Sequence, residues 1–348
     1  MQINSSNEKS VAMEKASAAI IAALSSELPE ILSTGKGVDE ALALQLGTLA
    51  GPEIFSLLPL SNQLRRHFCG PKIALCAITN AKSGRCPEDC AYCAQSISYD
   101  TGVETFPLIG VDELATKVQA AVAHEVENFS IVTSGTAVDQ VAEQDQIVAM
   151  FKEITAAGVA PCASLGFLEA VTARRYHSAG LKHYHHNLET SRSFFPQICT
   201  THDYDRAIAT VKTAKAAGLY VCSGGIMGLG ENWAQRVELA LTLRELEVDS
   251  IPLNFLVPVK GTPLADETGL SPFSALLTIA MFRLVCPTAA IRICGGRQRT
   301  FADFQSLIFA AGANGLMVGD YLTTSGRQWS DDERLLHDWQ LFEQDLVK

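Results

Sequence analysis

From Lys72 onward the chain repeats one unit eight times: a short apolar run, then a longer segment whose apolar residues recur every three or four positions. The runs are Ile73–Thr79, Asn128–Thr133, Ala160–Leu165, His183–Leu188, Tyr220–Met227, Ile251–Val257, Ala290–Cys294 and Leu316–Gly319. Between them lie segments of helical period such as Val111–Glu127, Gln140–Ala157, Asp203–Ala217, Trp233–Glu247 and Pro272–Val285, several stopped by glycine at Gly158, Gly180 and Gly218. Eight strand–helix units in succession predict an α/β fold, a (β/α)8 barrel of the TIM type. A doubly wound open sheet is the other parallel solution, but its GxGxxG phosphate loop is absent after the first strand. Upstream, Ser10–Leu32, Val38–Leu49 and Pro52–Phe68 read as helices with Gly35 and Gly37 as breaks. The expected organisation is an N-terminal helical extension over 1–70, a barrel over 71–325 and a C-terminal helix over 326–348.

After the first strand, where a barrel carries its chemistry, comes Cys86-Pro-Glu-Asp-Cys90-Ala-Tyr-Cys93. Three thiolates at this spacing can hold three corners of an iron–sulfur cube and leave the fourth iron without a protein ligand. The plainer readings are a zinc site or scattered core thiols. Zinc sites usually close with a second short pair of ligands, and here the next cysteine is Cys162. The stretch resembles the CxxxCxxC motif of the radical S-adenosylmethionine (SAM) superfamily, including Tyr92 before the last cysteine. That resemblance implies a 4Fe-4S cluster whose open iron chelates SAM and delivers the electron that cleaves it to a 5'-deoxyadenosyl radical.

Acidic residues outnumber basic ones by 38 to 27 in 348 residues, giving a net charge of -11 and a pI near 5.2. Such a surface repels phosphate backbones, which argues against nucleic acid as a partner. The apolar run Ala16–Leu24 follows Glu14 and Lys15 and lacks a signal-type cleavage site, so it reads as part of an amphipathic helix. No stretch is expected to reach the roughly eighteen apolar residues of a membrane span. A cytoplasmic protein is expected, where the ten cysteines stay reduced and cysteine clusters more often bind metal than form disulfides.

Four further cysteines fall inside predicted strands: Cys76 in the first, Cys162 in the third, Cys222 in the fifth and Cys294 in the seventh. Barrel interiors are filled in layers supplied by alternate strands, so these four can converge on one point and make a second cluster site. Singly, each is better explained as a small buried hydrophobe than as a ligand. Arg292, two residues before Cys294, shares its face, and an inward arginine needs an anionic partner such as a thiolate-bearing cluster. Cys69, Cys199 and Cys286 lie outside the strands and receive no ligand role.

Further stretches carry a narrower resemblance: Asn80–Ser96 (NAKSGRCPEDCAYCAQS), Tyr184–Ser191 (YHHNLETS), Val221–Glu231 (VCSGGIMGLGE), Ile251–Leu264 (IPLNFLVPVKGTPL), Ile291–Arg297 (IRICGGR) and Gly312–Thr324 (GANGLMVGDYLTT). In this order they resemble the biotin synthase family. The resemblance implies a homodimeric barrel enzyme that inserts sulfur into dethiobiotin, taking the sulfur from an auxiliary iron–sulfur cluster, with an electron donor such as flavodoxin or ferredoxin. It implies the SAM cluster on Cys86, Cys90 and Cys93, with Tyr92, Asn187 and Glu189 at SAM and Asn187 and Asn254 at substrate. The family often has Asp where this chain has Glu189, and a carboxylate of either length can accept both ribose hydroxyls. Strand-end capping is the alternative reading of the two asparagines.

At the auxiliary site the chain departs from the family pattern, in which cysteines on the second, third and fifth strands and an arginine on the seventh hold a 2Fe-2S cluster. Cys162, Cys222 and Arg292 match, Ser130 replaces the second-strand cysteine, and Cys76 and Cys294 stand where serine is common. The expectation is a four-iron auxiliary cluster on Cys76, Cys162, Cys222 and Cys294, with Arg292 beside it or displaced as a ligand. Two alternatives stay open: a related radical SAM enzyme with another small substrate, and a non-catalytic electron carrier or metal-binding structural protein.

Overall fold

The structure is a computed structural model that describes residues 2–340. Nine short strands, all paired in parallel, form its sheet: β1 (Ala74–Lys82), β2 (Asn128–Thr133), β3 (Ala160–Ser164), β4 (His183–His185), β5 (Tyr220–Cys222), β6 (Gly225–Met227), β7 (Ser250–Phe255), β8 (Ala290–Ile293) and β9 (Gly315–Met317). Neighbours run β5-β4-β3-β2-β1-β9-β8-β7-β6, and a β5–β7 pairing closes the ring. β5 and β6 are two halves of one stave, so the barrel has the eight staves expected. The break falls at Ser223 and Gly224, and at Gly224 neighbouring backbone comes too close for a side chain. A Cβ on Gly224 would lie 2.0 Å from the Pro252 carbonyl oxygen, and one on Gly225 would lie 2.3 Å from that of Glu189.

The N-terminal helices are α1 (Gln2–Thr34), α2 (Glu40–Leu46) and α3 (Leu58–Cys69). The segment expected as one helix from Pro52 is a 3₁₀ turn, Gly51–Ser56, followed by α3; Pro59 fits only the first turn of the new helix, where its missing N–H costs nothing. Around the barrel run α4 (Val111–Val122), α5 (Val141–Ala156), α6 (Ala170–Ser178), α7 (Tyr204–Ala216), α8 (Trp233–Glu245) and α9 (Pro272–Val285), then α10 (Arg297–Phe301) and α11 (Trp329–Asp338). α9 starts on a Ser271 cap and is apolar all round because it is covered on both sides, by the barrel and by α2 and α3. Each of its fully buried large apolar side chains, such as Leu276, Ile279 and Phe282, contributes roughly 1.5–3 kcal/mol of burial.

The extension is tied to the barrel's outer helices by polar contacts. Val38 N–H donates to Leu284 O at 3.0 Å, Trp233 Nε1 to Ala43 O at 3.0 Å, and Arg244 Nη1 to Val38 O at 2.7 Å. Contrary to the sequence expectation, Glu14–Thr34 is long and apolar enough by composition to cross a membrane, at 21 residues and mean hydropathy 1.2. Its Ile20, Leu24, Leu28 and Ile31 form one buried stripe at helical spacing, as the amphipathic reading requires. At the other end α11 docks through the buried Arg297–Asp332 ion pair and through Trp329, which stacks on His124 at 4.2 Å. Of the expected C-terminal helix over 326–348, residues 341–348 lie outside the described part.

Candidate active site in the barrel

The cysteine loop leaves β1 and is pinned at both ends. Cys86 N–H donates to Gln95 O at 3.0 Å and Ile97 N–H returns to Cys86 O at 2.9 Å, while Cys93 N–H donates to Cys90 O at 2.9 Å in a tight turn. The loop also docks on 198–202, which follows β4. Ala91 N–H donates to Ile198 O at 2.8 Å, and the Asp89 carboxylate accepts from the Thr200 N–H at 2.8 Å and from the Thr200 hydroxyl. Burial works against that carboxylate, but these hydrogen bonds hold it well below the usual range.

Cys86, Cys90 and Cys93 are all half-buried. Burial pushes the Cys86 thiol up and the Cys93 thiol up to about 11; Cys90 is pushed up by its hydrogen bond to Cys199 and then by burial. Three such thiols resist ionising side by side in the protein alone. Bound iron cations would reverse that preference, so the donor set fits an iron–sulfur cluster.

Behind the loop, a cavity of about 330 Å³ runs into the barrel. Cys76, Ala77 and Ile78 of β1 line it. Cys162, Cys222, Arg292 and Cys294 line the same cavity, so all five residues expected at the auxiliary site come together. Cys294 lies one residue beyond β8 rather than inside the strand, with its N–H still bonded to Leu253 O at 2.9 Å. Ser130 sits directly across from Cys162 in the β2–β3 register.

Arg292 is buried in this group. Its Nη1 donates to Cys76 Sγ and its Nε to Ser250 Oγ at 3.0 Å. Burial opposes its charge, but the Cys76 and Cys222 sulfurs hold it firmly protonated. Burial likewise pushes up the thiols of Cys76, Cys162 and Cys294, and that of Cys222 to about 11. Among the described residues neither cysteine set brings three ligand atoms within 4.8 Å of one another.

Tyr92, Asn187, Glu189 and Asn254 line the outer part of the cavity. Tyr92 hydrogen-bonds to Glu189 and packs against the apolar patch of Phe194, Ile198, Leu229 and Leu256. Glu189 holds a left-handed φ of 67°, fixed by Ile226 N–H donating to its carbonyl at 2.8 Å. Burial pushes its carboxyl up to about 7. Both asparagines also bond to backbone: Asn187 Oδ1 accepts from Gly224 N–H at 3.1 Å, and Asn254 Oδ1 from Gly295 N–H at 3.0 Å. They cap strand ends and face the cavity at once, so neither sequence reading excludes the other. A second cavity, of about 840 Å³, adjoins this one and shares Tyr321, Leu322, Thr323 and Thr324.

Sequence reasoning missed three groups here. His183 and His185 line the cavity, and burial lowers both imidazoles to about 4, leaving them neutral donor–acceptors; His183 stacks on Tyr220 at 4.5 Å. Ser250 holds Arg292. Cys199, set aside as a plain loop cysteine, lies against Cys90 within a polar knot. Its Sγ is 3.3 Å from His202 Nδ1, which is 2.8 Å from Glu88 Oε2. The hydrogen bond from Cys90 lowers the Cys199 thiol to about 4 against burial. His202 is raised to about 9, burial opposing, by Cys199 and Glu88.

Residues 81–243 match the family model of the radical SAM superfamily, and residues 252–341 that of the biotin and thiamin synthesis associated domain. The chain is 52% identical over 305 residues to biotin synthase of Trichlorobacter lovleyi, a match covering 87% of this chain and 92% of the relative. It is also 52% identical over 305 residues to biotin synthase of Syntrophotalea carbinolica, covering 87% and 93%. Among solved structures, the fold matches methylornithine synthase with TM-score 0.73 at 16% identity, covering 89% of this chain and all of the other. It matches the FeFe-hydrogenase maturase HydG of Carboxydothermus hydrogenoformans with TM-score 0.73 at 13% identity, covering 95% and 81%. With half the residues identical over most of both chains, this chain belongs to the biotin synthase family of radical SAM enzymes.

Proposed function

We propose that this enzyme forms biotin by inserting sulfur into dethiobiotin, with a SAM cluster on Cys86, Cys90 and Cys93 and a four-iron auxiliary cluster on Cys76, Cys162, Cys222 and Cys294. The observation that carries the proposal is the gathering of those four thiols and Arg292 around one cavity whose outer wall is Tyr92, Asn187, Glu189 and Asn254. When bound, the two clusters supply the electron that cleaves SAM and the sulfide that enters the product, chemistry needed at unactivated carbons. The chain's own task is to position and to exclude water. Glu189, set by its strained backbone and by Tyr92, faces the SAM side as an acceptor for ribose hydroxyls. Asn187 and Asn254, locked by backbone partners, offer their remaining amide capacity to the ureido ring of the substrate. Arg292 balances thiolate charge at the inner end, whether or not it ligates iron.

The same reading takes residues 71–325 as the catalytic barrel flanked by the extension 1–70 and the C-terminal segment 326–348, in a cytoplasmic homodimer reduced by flavodoxin or ferredoxin. Family membership supports it. The test is anaerobic reconstitution followed by an assay with SAM, reductant and dethiobiotin. Biotin with matching deoxyadenosine, from protein holding about eight irons per chain, is expected. About six irons would return the auxiliary site to the 2Fe-2S type, and deoxyadenosine without biotin would replace dethiobiotin by another substrate.

Glu189 gives this reading a pH signature. Its carboxyl is raised to about 7, so the ionised acceptor form is lost as pH falls through neutrality. SAM affinity should therefore weaken from about pH 8 to about pH 6, approaching tenfold per unit at the lower end. Glu189→Gln should weaken SAM binding roughly 10- to 100-fold and flatten that profile. A variant that keeps the wild-type slope places the titrating group elsewhere.

A further inference from the structure

Cys199 has no part in the proposed reaction, yet its thiol shares a hydrogen bond with Cys90. The backbone holds the two residues together as well. Ala91 N–H, in the peptide that follows Cys90, donates to Ile198 O, in the peptide that precedes Cys199, at 2.8 Å. Each Cα therefore adjoins the same hydrogen-bonded pair of peptide groups, and Cα atoms held that close are what bridging without backbone movement requires. Cys199 is held in place by Asp89 Oδ1 at 3.2 Å, Thr201 Oγ1 at 3.4 Å and His202 Nδ1 at 3.3 Å. Cys90 is half-buried, whereas Cys199 is only 4% exposed. An oxidant from solvent meets Cys90 first and finds Cys199 in the place of a resolving thiol.

We propose that Cys90 and Cys199 close into a reversible disulfide when the SAM cluster is lost to oxidation, a latch that keeps the loop docked and a ligand sulfur recoverable. The inference rests on Cys90 being a cluster ligand. Hydrogen peroxide converts the freed Cys90 thiol to a sulfenic acid and releases one water. The Cys199 sulfur then attacks that sulfur, the S–O bond breaks, and hydroxide leaves with the proton shared by Cys199 and His202 as a second water. Two thiols and one peroxide thus give one disulfide and two waters, and a dithiol reductant restores both thiols by exchange. Further oxidation of an unlatched Cys90 to the sulfinic acid would end its use as a ligand.

The test treats reconstituted full-length enzyme with peroxide until its iron is released, blocks free thiols and maps the unreduced peptides by mass spectrometry. A linked Cys90–Cys199 peptide that dithiothreitol dissolves is expected, followed by reloading of iron and sulfide to the level before treatment. In Cys199→Ser the linked peptide is lost, Cys90 is recovered as sulfinic acid, and reloading falls. Cys90 linked to Cys86 or Cys93 in the wild type, or Cys199 recovered free beside oxidised Cys90, would overturn the proposal, as would equal reloading of Cys199→Ser. Failure of the cluster reading itself shows separately, in untreated protein, as iron content that Cys93→Ala leaves unchanged.

Discussion

Cys93→Ala binds about four fewer irons per chain than the wild type and forms no deoxyadenosine from SAM above background. The expected loss is this large because the loop supplies only three thiols, and two cannot hold a cluster that already leaves one iron open. The substitution is also clean. The loop is fixed by Cys86 bonded to Gln95 and Ile97, by Ser96 Oγ donating to Glu88 O, and by Asp89 on the Thr200 backbone. None of these uses the Cys93 side chain, so the melting temperature should move by only a few degrees. Inside the barrel the auxiliary thiols are untouched, and their iron should remain. A Cys93→Ala protein with its full iron and normal deoxyadenosine formation would remove the three-cysteine loop from the chemistry.

Elements with a local signature were legible in the chain, and contacts between distant segments were not. The cysteine loop is a matter of spacing within eight residues, and the eight staves are a matter of period, so both can be read from Cys86–Cys93 and from the runs after Lys72. The convergence of Cys76, Cys162, Cys222 and Cys294 was readable only through their distribution over alternate strands, since neither depth nor facing can be read from sequence. Ser223 and Gly224 read as a continuation of their strand because what breaks it is the Pro252 carbonyl, from a different stave. Cys199 carried no signal at all: its partners Cys90 and Asp89 lie more than a hundred positions earlier, and only folding brings the ICTTH segment against the loop. Asn187 and Asn254 show the same limit, because their capping partners Gly224 and Gly295 belong to other strands.

Cys294→Ala should separate the two halves of the reaction: deoxyadenosine formation persists while biotin formation falls about 100-fold or more. Loss of a mere outer partner of a metal site costs about 10- to 100-fold in affinity or activity, and a ligand costs at least as much. Cys294 is 2% exposed, lines the same cavity as Arg292 and is not part of the cysteine loop. Its removal opens a void of about one atom in the core, a cost of roughly 1 kcal/mol, which leaves the barrel folded. The loop, Tyr92 and Glu189 keep their partners, so SAM is still bound and cleaved. Iron should drop by up to about four per chain, with the auxiliary spectrum lost and the SAM-cluster spectrum kept. The companion Ser130→Cys adds a thiol directly across from Cys162; on the Cys294→Ala background it supplies the second-strand thiol of the 2Fe-2S pattern and should restore about two irons. If Cys294→Ala retained full biotin formation and all its iron, the thiol would be core packing, and the auxiliary site would have to be built from Cys76, Cys162, Cys222 and Arg292 alone.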